Sequence, residues 1–324
     1  MKVFVTRRIP EPGLELLRRE CSVVEVYPHD RIPSKEEIIE GLRGKDGLLC
    51  LLTDKIDEDV ITSNPKLRMI SSYAAGYDNI DVETATKLGI PVSNTPDVLT
   101  DATAEMAWAL LFAVARRIVE GDAFTREGRF KGWSPMLMLG KQVSGKTLGV
   151  VGAGRIGTAF ALKGRGFNMK TLYFNRSRNR LLEEVLGAEK VSLEELMRES
   201  DFVSIHLPLT SETYHFIGYR ELSLMKKDAI LINTARGAII DENALVEVLT
   251  EKRIFGAGLD VYEHEPMVDE RLKKLSNVVL QPHTGSATRE ARTEMAIIAA
   301  ENLITGLKGR KPRYCVNPEV FDRS

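Results

Sequence analysis

Gly152-Ala153-Gly154-Arg155-Ile156-Gly157 directly follows the apolar run Thr147-Leu148-Gly149-Val150-Val151 and opens a stretch with helical spacing. A GxGxxG run by itself is only a glycine-rich turn. Between a strand and a helix it reads as a dinucleotide loop. The first glycine makes the tight turn, the second admits pyrophosphate to the backbone, and the third lets helix and strand pack, while the helix N-terminus attracts the phosphates. Ala153, Gly154, Arg155 and Ile156 are therefore expected on the phosphates.

The next strand, Lys170 to Phe174, ends where an NAD-specific chain carries Asp or Glu for the ribose 2′-hydroxyl. Here Asn175-Arg176-Ser177-Arg178 stands in that place. An uncharged acceptor followed by arginines can hold a 2′-phosphate through charge-assisted hydrogen bonds, so NADP, bound as NADPH, is the expected cofactor and NAD the other candidate. The alternative for Arg176, Arg178 and Arg180 is a solvated helix start.

From this unit the pattern extends both ways. Further strands are expected at Asp201 to Ile205, Ala229 to Asn233, Gly256 to Asp260 and Asn277 to Gln281, six in all, which suits a doubly wound sheet. Ser192 with Glu195 reads as a capping box, and Asp241 as the N-cap of a helix through Leu249. Toward the N-terminus, Val3 to Thr6, Val23 to Val26, Gly47 to Leu52 and Arg68 to Ser72 alternate with amphipathic segments such as Lys35 to Leu42. That is the rhythm of a second parallel α/β layer. Thr103 to Arg117 is apolar nearly all round and is expected to be buried on every face. The loop Gly128 to Gly145, with Trp133 and Pro135, is unusually apolar for a linker, which points to packing against something, a second subunit among the candidates. Ala287 to Leu307 reads as one long helix.

Composition agrees with this picture. The 324 residues include 43% hydrophobic and 28% charged side chains, with 45 basic against 46 acidic, so disorder and a general pull toward nucleic acid or an anionic membrane are excluded. The length favours two domains. Cys21, Cys50 and Cys315 suit neither a disulfide framework nor a CxxC site. Without an apolar signal core or membrane span, a cytoplasmic protein acting on a small molecule is expected.

Several further stretches occur in order: Ala75-Gly76-Tyr77-Asp78-Asn79-Ile80-Asp81, His206-Leu207-Pro208-Leu209-Thr210, Asn233-Thr234-Ala235-Arg236-Gly237, Gly258-Leu259-Asp260-Val261 with Glu265-Pro266, and Pro282-His283-Thr284-Gly285. With the glycine loop they resemble the D-isomer-specific 2-hydroxyacid dehydrogenases, most closely the glyoxylate/hydroxypyruvate reductase branch, over nearly the whole chain. The resemblance implies a Rossmann-type doubly wound sheet (99–285) and a flavodoxin-like substrate domain split between 1–98 and 286–324. It also implies a cleft that closes on substrate to exclude water.

Reducing a 2-oxo acid requires a cation for the carboxylate, a proton donor for the carbonyl oxygen and a hydride source. Arg236 and His283 each follow a strand at the carboxyl edge where open α/β sheets bind ligands. A guanidinium fork suits carboxylate and carbonyl oxygen, and an imidazolium suits proton donation. A salt bridge for Arg236 and a satisfied core position for His283 are the plainer alternatives. By resemblance, Glu265 bonds the other nitrogen of His283, which argues against the formate dehydrogenase relatives that carry Gln there. The resemblance further implies substrate contacts from the Ala75 and Gly76 amides, Leu51 and Leu52, and a carboxamide contact from Asp260. Thr103, Pro208, Thr213, Thr234, Ala235, Thr284 and Gly285 are implied near the cofactor. Trp133-Ser134-Pro135 matches the branch's Trp-x-Pro, which reaches the neighbouring subunit's active site, implying a homodimer with Trp133 as a substrate contact. Simple loop packing is the alternative for Trp133. His29, His206, His215 and His264 lack metal-ligand spacing, and no metal is expected. The expected activity is reduction of glyoxylate and hydroxypyruvate to glycolate and D-glycerate. The rivals are an NAD-linked phosphoglycerate dehydrogenase and a dinucleotide-sensing corepressor-like scaffold.

Overall fold

The apolar runs of the N-terminal third become strands β1 (Lys2–Val5), β2 (Val23–Val26), β3 (Gly47–Cys50), β4 (Met69–Ser72) and β5 (Val92–Ser93). They pair in parallel in the order β2-β1-β3-β4-β5, the flavodoxin-like arrangement. Leu48, Leu49, Cys50, Met69 and Ile70 are fully buried, as expected of central parallel strands covered on both faces. The C-terminal helix Arg289–Leu307 belongs to this layer. Ser71 donates to its Ala299 carbonyl at 2.8 Å, and a Cβ on Gly13 would lie 2.5 Å from the Ala296 carbonyl oxygen. The helix Glu11–Glu20 therefore lies directly on the C-terminal one, which recruits the end of the chain to its beginning.

This is a computed structural model describing residues 1–322. Its two compact units are Met1–Leu99 with Ala287–Ser324, and Thr100–Ser286. The second unit carries β6 (Thr147–Val151), β7 (Lys170–Phe174), β8 (Glu189–Lys190), β9 (Phe202–Ile205), β10 (Ile230–Asn233), β11 (Gly256–Leu259) and β12 (Val278–Leu280). All are parallel, in the order β12-β11-β10-β9-β6-β7-β8. Strand order reverses between β6 and β9, so the switch point of a doubly wound sheet falls at their carboxyl ends. The α/β class with one Rossmann-type and one flavodoxin-like sheet is thus borne out.

Three expectations need correction. The Rossmann sheet has seven strands, because the exposed pair Glu189 and Lys190 joins the edge by pairing with Leu172 and Tyr173. The apolar helix runs over Thr100–Ala115 and is not buried all round. Asp101, Glu105 and Ala109 form an i, i+4 stripe open to solvent, while Ala104, Ala107, Leu111 and Val114 are buried. Ser192 caps its helix, accepting from the Glu195 amide at 3.2 Å, but the return bond from the Glu195 side chain that a capping box needs is not formed among the described residues, and Asp241 caps the helix Glu242–Thr250. Among the described residues no helix is long and apolar enough to cross a membrane.

Candidate active site

The dinucleotide loop shows three different glycine constraints. Gly152 has φ +98°, and a Cβ there would lie 2.8 Å from the His206 carbonyl carbon, so the turn packs against the end of β9. A Cβ on Gly157 would lie 2.0 Å from the Gly152 carbonyl oxygen, which is the close helix-to-strand approach. Above Gly154 there is open space within 4 Å. The helix Arg155–Lys163 begins at Gly154 with no side-chain cap and no acid in its first turn, leaving its opening amides to an anion. Beneath the loop, burial pushes the His206 imidazole down to about 3, so the ring is neutral. It packs on Phe160 and bonds the Ser204 hydroxyl at 2.9 Å.

At the end of β7 Arg176 and Arg178 differ. Arg178 is bound to Glu183, with its Nη2 donating at 2.8 Å, and so holds its own helix. The exposed Arg176 guanidinium enters no ion pair among the described residues, while its carbonyl accepts from Lys190 at 2.9 Å. Asn175 donates to the Ser177 carbonyl at 3.1 Å, closing the turn.

The strands β10, β11 and β12 bring Arg236, Glu265 and His283 to one edge. Asn233, at the end of β10, accepts from the Ala235 amide at 3.0 Å and donates to the Arg236 carbonyl at 2.9 Å, bracketing the Thr234–Arg236 turn. A Cβ on Gly237 would lie 1.9 Å from the Tyr262 carbonyl carbon and 2.3 Å from the Glu263 amide nitrogen. The loop carrying Arg236 therefore lies backbone to backbone on the loop carrying Glu265. Glu265 accepts from the Tyr262 amide at 3.0 Å and, through its other oxygen, from His283 Nδ1 at 2.7 Å. His283 adopts a left-handed φ of +55°, uncommon for a side chain with a Cβ. Asp260 holds it there. Its carbonyl accepts from the His283 amide at 2.9 Å, and its carboxylate oxygens accept from the Thr284 and Gly285 amides, each at 2.7 Å. The carboxylate is 1% exposed, and burial raises its pKa above the usual range. Both its oxygens are thus already bonded to the turn that orients His283.

Of the remaining cofactor-side residues, Thr103 lies under Gly285 beside Asp260. Thr213 donates to the Pro208 carbonyl at 2.6 Å, closing the loop after β9. Thr234 keeps a buried hydroxyl with no hydrogen-bond partner among the described residues. In the other unit, Ala75 and Gly76 follow β4, and their amides bond no group among the described residues. Leu51 follows β3. Asn79 donates to its carbonyl at 3.0 Å and to that of Asp54 at 2.7 Å, tying the Leu51–Asp54 turn to the segment after β4. Trp133 is 84% exposed, so packing within its own unit is not its role.

Residues 108–285 match the model of the D-isomer specific 2-hydroxyacid dehydrogenase, NAD binding domain. A glyoxylate reductase from Thermococcus litoralis is 54% identical over 100% of this chain and 98% of its own length. The chain belongs to the D-isomer specific 2-hydroxyacid dehydrogenase family. Within it, the chain falls in the glyoxylate reductase branch. A solved protein from Thermus thermophilus superposes with a TM-score of 0.91 at 44% identity, covering 98% of this chain and 100% of that one. An NADPH-dependent glyoxylate/hydroxypyruvate reductase from Sinorhizobium meliloti, solved with NADP and malonate, gives 0.88 at 30% identity, covering 100% and 98%.

This dehydrogenase takes a nicotinamide dinucleotide, and its residues fit one: the open space over Gly154, the uncapped helix start and the orphaned Thr234 hydroxyl all await a polar ligand. The two glycines make a test. Gly154→Ala has room for its methyl, so it should leave Tm within about 2 °C while raising the KM for the dinucleotide at least about tenfold by filling the phosphate's approach. Gly157→Ala must displace backbone and should lower Tm by about 5 °C or more. Melting curves and coenzyme titrations read both. Sequence reasoning assigned no role to Asn79, to the Tyr262 amide or to the contact at Gly237. Asn79 and Gly237 lie inside quoted motifs, which was the available signal.

Proposed function

We propose that this dehydrogenase is an NADP-preferring reductase of small 2-oxo acids, turning glyoxylate into glycolate and hydroxypyruvate into D-glycerate. The observation that carries the reading is the 2.7 Å bond from His283 Nδ1 to Glu265, on a loop packed against that of Arg236. It leaves Nε2 as the nitrogen that can meet substrate. The Arg236 fork binds the carboxylate and polarises the carbonyl oxygen, and the free amides of Ala75 and Gly76 take the rest of the carboxylate. Leu51 lines the small side-chain pocket. Glu265 stabilises the imidazolium and fixes its plane, so that Nε2 delivers a proton to the carbonyl oxygen as the C=O π bond breaks. A bound nicotinamide supplies the hydride to the carbonyl carbon. Asp260 supports both partners, as the anchor of the His283 turn and as the neighbour of the nicotinamide end.

Preference for NADP rests on the absent carboxylate at Asn175 and the unpaired Arg176, with Ser177 completing the 2′-phosphate site. Arg176→Ala should cut the NADPH-over-NADH ratio of kcat/KM by about tenfold or more, whereas Arg178→Ala should chiefly lower stability. The relatives being glyoxylate reductases supports the substrate. Exposed Phe130, Trp133, Met136 and Leu139 support a homodimer in which Trp133 enters the partner's site. Light scattering should then give the mass of two chains.

Steady-state rates with NADPH and NADH against glyoxylate, hydroxypyruvate, pyruvate and 3-phosphohydroxypyruvate test the reading. NADPH with the two small oxo acids should lead. A preference for NADH with the phosphorylated acid would replace it with phosphoglycerate dehydrogenase, and dinucleotide binding without turnover would favour a scaffold.

A further inference from the structure

Each unit holds a peptide amide for an anion, and in each an asparagine carboxamide grips the carbonyl of that same peptide. Asn94 Nδ2 donates to the Ala75 carbonyl at 2.7 Å. Asn179 Nδ2 donates to the Ala153 carbonyl at 3.0 Å, helped by the Thr158 hydroxyl at 3.3 Å. A trans peptide is planar, with its C=O and N–H pointing in opposite directions. Fixing the Ala75 oxygen therefore fixes the direction of the Gly76 N–H, and fixing the Ala153 oxygen does the same for the Gly154 N–H. Neither N–H bonds any group among the described residues, so each grip aims a donor that stays open.

Both asparagines are themselves held. The Asn94 carbonyl accepts from Asn302 at 3.1 Å, a side chain only 3% exposed on the C-terminal helix, and its amide donates to the Tyr314 carbonyl at 3.3 Å. The Asn179 side chain also accepts from the Leu182 amide at 3.2 Å and donates to Thr158 Oγ1 at 2.7 Å. The backbone of Asn94 and the carboxamide of Asn179 are thus anchored, and each grip yields a preorganised donor. An amide already aimed binds an anion without the cost of ordering it.

We propose that Asn94 and Asn179 are positioning residues, Asn94 aiming the Gly76 amide at the substrate carboxylate and Asn179 aiming the Gly154 amide at the dinucleotide pyrophosphate. The proposal rests on the functional reading above for the identity of the two anions. It separates the two sites: each variant acts on one ligand alone.

The test measures KM for glyoxylate and for NADPH, with Tm, in wild type, Asn94→Ala and Asn179→Ala. Asn94→Ala should raise the glyoxylate KM about tenfold with the NADPH KM within about twofold, and Asn179→Ala should do the reverse, each loss being that of one well-aimed hydrogen bond to a charged group. Asn94→Asp and Asn179→Asp, similar in shape but without the donor, should behave like the alanine variants and serve if those fail to fold. Unchanged KM values in folded variants, or both KM values moving together with a fallen Tm, would overturn the proposal and leave the asparagines as packing. A wild type that binds NADPH but does not reduce glyoxylate would instead defeat the functional reading. The Asn179 half would then still be decided by NADPH fluorescence titration.

Discussion

His283→Ala is expected to lower kcat for glyoxylate reduction by about 10²–10⁴, the range that a positioned general acid contributes. The expectation follows from how this imidazole is built in. Asp260 ties down three consecutive amides to hold His283 in a left-handed conformation, and Glu265 takes Nδ1. With Nδ1 committed, a proton can leave only through Nε2, and among the described residues no other titratable side chain is bonded to the ring. Because the ring touches no residue of the glycine loop, the KM for the dinucleotide should move less than about threefold, and Tm should fall little, since alanine keeps a Cβ at φ +55° and only the bond to Glu265 is lost. Steady-state kinetics at saturating NADPH with a parallel melt measure this, and near-normal turnover would refute the role of His283. Glu265→Gln keeps the shape but replaces the carboxylate that accepts from Nδ1, so kcat should fall while the KM for the dinucleotide moves less than about threefold.

Arg236→Ala should lower kcat/KM by about 10³ or more, because in the proposed function one side chain serves both the bound carboxylate and the oxygen that gains charge in the transition state. Both the ground-state and the transition-state parts should be lost, so KM rises and kcat falls together. Arg236→Lys should recover only a small part: an ammonium restores the charge but not the planar fork that meets two oxygens at once. The coenzyme KM reports whether the damage is local. The 234–237 turn is braced by Asn233 and pressed on the Tyr262–Glu263 backbone, so removing the guanidinium should leave the turn in place and Tm nearly unchanged.

Much of this arrangement was legible in the amino-acid sequence, for physical reasons. Strands buried on both faces, such as β3 and β10, announce themselves as near-continuous apolar runs. The glycine loop is readable because each glycine answers a steric demand. What escaped is created by partners rather than by local pattern. β5 and β8 are two residues long and exist only because a neighbouring strand pairs with them. The packing of Gly237 on Tyr262 joins residues far apart in the chain, and nothing in either stretch names the other. Arg176 and Arg178 look alike in sequence, yet Glu183, five residues beyond Arg178, pairs with one of them and not the other. Asn79, Asn94 and Asn179 read as ordinary turn residues, because an asparagine that grips a distant carbonyl has no local signature. Asp260 was expected only to meet the nicotinamide, and its bonds to two backbone amides became visible with the turn itself.

The most direct test of the account is chiral analysis of the glycerate formed from hydroxypyruvate and NADPH by the wild-type enzyme, with NADPH consumption followed in the same sample. D-glycerate alone is expected, one molecule for each NADPH oxidised. L-glycerate, a racemate, or no glycerate despite bound NADPH would contradict it.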